Sequence, residues 1–156
     1  MYGAAMATTI GTMHVRRSGF IRATPERVWA ELASLERLRA WFGIGHTLHA
    51  YEPKLGALVE LSVDLDGVQR HYGGPVLVFE HHRDVTFEIN WHDADMAWPV
   101  PTMWTIRLTP AYDGTMVEIF HHGFERLGAA AGDQLEGFEE GWDNKHLKAL
   151  RAIVEQ

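Results

Sequence analysis

Residues 104–122 read WTIRLTPAYDGTMVEIFHH, and their alternation decides the fold. Trp104, Ile106 and Leu108 alternate with Thr105, Arg107 and Thr109. Beyond Asp113-Gly114, Val117, Ile119 and His121 alternate with Glu118, Phe120 and His122. A period of two marks a half-buried strand, and Asp-Gly between two such runs marks a hairpin.

The same pattern continues upstream. Val59, Leu61 and Val63 alternate with polar neighbours, and Asp66-Gly67 follows as a second hairpin turn. Gly73-Gly74-Pro75 is expected to interrupt the next strand as a bulge, with Val76 to Glu80 continuing it. Val85, Phe87, Ile89 and Trp91 form another inward row. Neighbouring hairpins of this kind make one antiparallel sheet, covered on one face and wet on the other.

The flanks supply the cover. Met13 to Ala23 reads as a first strand. Thr24-Pro25 then starts a helix, because Thr caps an orphan N–H and Pro suits the first helical position. Ser34 is set to cap a second short helix carrying Leu38, Trp41 and Phe42, stopped by Gly43. Ala131 to Val154 is the longest helical pattern, with Leu135, Phe138, Trp142, His146, Ala149 and Ile153 on one stripe. A helix of about 22 residues spans roughly 33 Å, enough to cross a curved sheet. The order predicts an α+β domain over residues 13–156, with about six or seven strands around a long C-terminal helix.

Composition narrows the function. The chain has 156 residues, no cysteine, and Lys+Arg 14 against Asp+Glu 21, a net charge of −7. The charge disfavours a general nucleic-acid binder, which needs a basic face. The absence of cysteine removes disulfides, thiolate metal sites and a cysteine nucleophile. No apolar run approaches the ~20 residues of a membrane span. Met1 to Thr12 lacks the features of a secretory signal and is expected to be a flexible leader on a cytoplasmic protein.

Several motifs together resemble the START-like, or helix-grip, superfamily (SRPBCC), in the branch named for the activator of heat-shock-protein-90 ATPase homologue. They are Ala23-Thr24-Pro25-Glu26-Arg27-Val28-Trp29, Trp41-Phe42, the strand pair within Leu77 to Trp91, Thr115-x-Val117-x-Ile119-x-His121-x-Gly123-Phe124, and Gly141-Trp142 with Leu147 and Leu150. The resemblance implies a sheet gripping the last helix over a hydrophobic cavity. It does not imply one activity, since members include lipid carriers, cyclases, receptors and co-chaperone domains.

The expected ligand-binding residues are Trp41, Phe42, Trp91, Trp104, His121, Phe138 and Trp142. His121 shares the inward face of Val117 and Ile119, where a neutral imidazole could orient a polar ligand group. The plainer reading is a core histidine bonded to a neighbour. The tryptophans combine apolar area with one N–H each, and the plainer reading for them is packing. Trp98 lies in the irregular stretch His92 to Pro101 and could close the entrance. Ten histidines raise a metal site, but His81-His82 and His121-His122 are adjacent and point to opposite faces of a strand. His46-x-x-His49 has the wrong offset for one strand face. No His-Glu-x-x-His motif, phosphate loop or Gly-x-Ser-x-Gly elbow is present. Neither metal nor cofactor is expected. Gly137 and Gly141, four apart in the last helix, cost stability relative to alanine; they would serve either close backbone approach to the sheet or extra cavity room, a packing role that needs no ligand.

Three functions compete. The first is a binding protein for a hydrophobic or aromatic small molecule. The second is a cyclase-, aromatase- or hydrolase-type enzyme with His121 as acid/base, weakened by the lack of a second catalytic group. The third is a chaperone ATPase-modulating interaction domain, for which no stimulation is expected from one domain. An exposed strand would also permit a homodimer.

Overall fold

The computed structural model describes residues 8–155. Strand β1 (His14–Ile21) is followed by helix α1 (Pro25–Trp29), a single 3-10 turn, and helix α2 (Leu35–Phe42). Strands β2 (Thr47–Ala50), β3 (Leu58–Leu65), β4 (Val68–Glu80), β5 (Asp84–Trp91), β6 (Thr102–Ala111) and β7 (Gly114–His122) come next. A 3-10 stretch (Phe124–Ala130) then leads into α3 (Ala131–Gly141) and α4 (Lys145–Val154).

The two helix starts form for the expected reason. The Thr24 side chain accepts from the Arg27 N–H at 3.2 Å, and that of Ser34 from the Arg37 N–H at 3.2 Å. The strands form one antiparallel sheet in the order β1-β7-β6-β5-β4-β3-β2, curved into a half-barrel. Only β1 departs from sequence order, pairing with β7 from His14↔His122 to Ile21↔Thr115. This is the α+β helix-grip fold the sequence predicts.

Four local features differ from expectation. The β6–β7 turn falls on Tyr112-Asp113, with Ala111 paired to Gly114. Gly114 is held in the ladder instead, where an added Cβ would lie 2.3 Å from the Ile21 carbonyl oxygen. Second, β4 runs through Gly73-Gly74 unbroken, and its register shift lies further on, between Val76 and Val78. Gly73 is required by close approach, since a Cβ there would sit 1.9 Å from the Val59 carbonyl oxygen.

Third, the terminal helix is broken. Trp142 is extended, at φ −92° and ψ 138°, and separates α3 from α4. Arg17 on β1 caps the break. Its Nη2 donates to the carbonyls of Glu139 and Trp142 at 3.1 and 3.0 Å, satisfying acceptors that a helix end leaves orphaned. The Asp143 carboxylate then accepts from the Lys145 N–H at 2.9 Å and starts α4. The buried side chains of α4 are Leu147 and Leu150, packed with α2 and β1.

Fourth, the outer sheet face is partly dry. Thr86, Thr105, Phe120 and His122 are buried there. A hydrogen-bonded row links Thr8 to Thr86 at 2.9 Å, Thr86 to Thr105 at 2.8 Å, and Thr105 to His122 Nε2 at 2.7 Å. Thr8 covers this face because Arg107 donates to its carbonyl at 2.6 Å and buried Asp84 accepts its N–H at 3.3 Å. Of the leader expected over Met1 to Thr12, Met1 to Ala7 lie outside the described residues.

Candidate functional site

A hollow of about 490 Å³ lies between the sheet and the helices. Strands β3 to β6 provide Val63, Leu65, Tyr72, Ile89, Trp91 and Trp104. Helix α3 provides Phe138 and the bare faces of Gly137 and Gly141, where an added Cβ would meet nothing within 4 Å. The α2 end and the loop after it provide Phe42, Ile44, Gly45 and His46, and α4 provides Lys145 and His146.

Five of the seven expected residues lie on this wall: Phe42, Trp91, Trp104, Phe138 and Trp142. Trp98 also lines it, edge-on to Trp91 at 6.3 Å, and is anchored by Asn90, whose side chain bonds its backbone N–H and carbonyl at 2.9 and 3.1 Å. Two do not. Trp41 is fully buried behind Phe42, its Nε1 donating to the Glu31 carbonyl at 3.0 Å. Adjacent residues of a helix point in different directions, and here Phe42 faces the hollow while Trp41 faces the core.

His121 is also absent from the wall. It is fully buried behind Trp104, Phe138 and Trp142, with ring centroids at 5.6, 4.5 and 5.9 Å. Its Nε2 bonds Thr102 Oγ1 at 2.7 Å, and Nδ1 has no partner among the described residues. Burial, with a lesser contribution from neighbouring His122, holds its pKa well below the ordinary value. In this arrangement three aromatic rings stand around the imidazole and it does not line the hollow. Inward alternation is correct for His121, but α3 lands on it.

The polar groups on the wall are ones the pattern did not single out for this role. His46 Nδ1 lies 2.6 Å from Tyr72 Oη, and its Nε2 lies 2.6 Å from the Phe42 carbonyl oxygen. His146 Nδ1 lies 3.1 Å from the Trp41 carbonyl oxygen. The His46 and His146 rings stack 5.5 Å apart. Burial, above all, lowers the His46 pKa to about 4 and lowers that of His146 as well. Burial also raises the Tyr72 phenol above its ordinary value. All three are therefore uncharged at neutral pH. His146 lies on the helical stripe read from the sequence, whereas Tyr72 precedes the Gly73-Gly74-Pro75 interruption and was not singled out. His46 had no periodic signal, because it sits in a loop.

The other histidines lie elsewhere. His49 bonds Ser62 at 2.7 Å and stacks on His71, while His81 and His82 sit 4.0 Å apart beside Trp29. Among the described residues no group of three or more His, Cys, Asp or Glu could hold a metal ion. No described helix is long and apolar enough to cross a membrane.

Residues 22–155 match the family described as Activator of Hsp90 ATPase homolog 1-like protein. The chain belongs to this family. No curated protein sequence matches it. A Chromobacterium violaceum protein is similar in structure, with a TM-score of 0.67 and 21% identity over 92% of this chain and 98% of that one. The Aha1 dimer from Colwellia psychrerythraea gives a TM-score of 0.61 and 15% identity, covering 92% and 97%. DynU16, from the dynemicin biosynthetic locus, gives 0.67 and 17%, covering 94% of this chain and 48% of that one. At these identities the likeness is one of fold. For this member of the Activator of Hsp90 ATPase homolog 1-like family, the wall residues carry the functional argument.

Proposed function

We propose that this protein binds a hydrophobic or aromatic small molecule in the hollow between the sheet and the C-terminal helices. The observation that carries the reading is the hollow itself. Its volume of about 490 Å³ falls within the range of small-molecule sites, and four tryptophans, Trp91, Trp98, Trp104 and Trp142, stand on its wall. Apolar walls with a few polar groups are what a carrier or sensor needs to release an oily molecule from water. The reading sets such a carrier in the cytoplasm.

Titrating lipids and aromatic compounds against tryptophan fluorescence tests it. A saturable change that disappears when Gly137 is replaced by Leu is expected. A linear, unsaturated response to every compound would overturn the reading.

We further propose a homodimer, since a Colwellia psychrerythraea protein of this fold is a dimer. Light scattering distinguishes a particle of 17.7 kDa from one of twice that mass.

A further inference from the structure

Two backbone carbonyls fix the direction of every hydrogen bond at the His46–His146 end of the hollow. A carbonyl oxygen can only accept. His46 Nε2, 2.6 Å from the Phe42 oxygen, therefore carries the ring proton. Nδ1 of that neutral ring is a lone pair and takes the Tyr72 hydroxyl proton across 2.6 Å. His146 Nδ1 likewise donates to the Trp41 oxygen at 3.1 Å, so its Nε2 is a lone pair. That Nε2 has no hydrogen-bond partner among the described residues, yet is not among the atoms sealed from solvent.

Tyr72 commits its only proton to His46, and both imidazoles commit theirs to the backbone. What these three side chains offer a ligand is acceptors: His146 Nε2 and the remaining lone pair of Tyr72 Oη. Trp104 Nε1 is the nearby donor, with its ring 5.7 Å from that of His46, but it has no partner and is sealed. Lys145, the cation on the wall, faces Asp143 at 3.8 Å.

Resting on the cavity reading above, we propose that this end selects ligands by a hydrogen-bond donor: the class is an aromatic molecule bearing a neutral hydroxyl, which donates to His146 Nε2 or Tyr72 Oη. The ring of such a molecule meets the aromatic wall. An ether would leave these acceptors unpaired after they lose water.

The test is calorimetric titration of the full chain near neutral pH with naphthol and its methyl ether. Naphthol is expected to bind about tenfold more tightly than the ether. His146→Leu and Tyr72→Phe are expected to narrow the naphthol-to-ether affinity ratio toward one, with a thermal melt reporting that each variant folds. Equal binding of naphthol and ether by the parent would overturn the donor selection and leave the cavity reading standing. Absence of binding by both would overturn the hydroxyl-bearing aromatic class, whereas the cavity reading falls only if the lipids and other aromatic compounds also fail to saturate. A naphthol preference that survives in both variants would overturn the assignment to these two residues.

Discussion

Replacing Gly137 should move stability and binding in opposite directions. Gly137 lies inside α3, where glycine is about 1 kcal/mol less favourable than alanine. An added Cβ meets no atom within 4 Å, so alanine brings no clash. Gly137→Ala should therefore raise stability by about 1 kcal/mol, or Tm by roughly 2–4 °C for a domain of this size. The same residue lines the hollow. Each carbon added there displaces a similar piece of ligand, at about 0.8 kcal/mol per buried methylene. Alanine should weaken Kd about fourfold, and the four carbons of leucine should cost roughly 3 kcal/mol, about a hundredfold. Thermal melts and calorimetry on the Gly, Ala and Leu series read both quantities from the same samples. An unchanged Kd in Gly137→Leu would show that the ligand lies elsewhere. A lower Tm in Gly137→Ala would show that the space is not open.

Other changes act through burial and charge. Glu31 is almost fully buried and accepts from Arg27 and Arg37 at 2.6 and 2.9 Å, so Glu31→Gln should cost about 2 kcal/mol in a urea titration. Asp84 has no exposed surface and is held by Arg107 at 3.4 Å, so Asp84→Ala should cost about 3 kcal/mol in the same assay. His121→Leu should leave ligand Kd unchanged, since the ring stands behind the wall; a large loss of affinity would restore it as a site residue. Acid should destabilise the fold. His46 and His122 titrate near 4 in the native state, chiefly through burial, and near 6.5 when unfolded. Between those values the unfolded chain binds protons that the native state refuses. Stability is complete above about pH 6.5 and falls toward pH 4 by about 1.4 kcal/mol per unit for each imidazole. Denaturation midpoints that do not move across that window would refute the neutral assignment.

Much of the site was legible where the signal was periodic. Trp91 and Trp104 follow from strand alternation, and Phe138 and Trp142 from the helical stripe. His121 shows the limit of such reasoning. Alternation gives the face of a side chain but not what packs against it, and the rings of Phe138 and Trp142 convert an inward histidine into a core one. His46 was beyond reach, because a loop has no period and its partners Phe42 and Tyr72 are set by chain reversal. The dry outer face was hidden for a related reason: Thr8 reaches Thr86 from 78 positions away in sequence.

Local rules determine the strands, the caps at Thr24 and Ser34, the α+β class and the family resemblance, because each depends on residues within a few positions of one another. The β1–β7 pairing was a matter for tertiary structure. So were the break in the last helix at Trp142 and the hollow between sheet and helices. Arg17 lies 125 positions from Trp142, and only when β1 settles beside β7 can its guanidinium reach the carbonyls that end α3. A hollow is space between elements, so it has no residues of its own to write in a sequence.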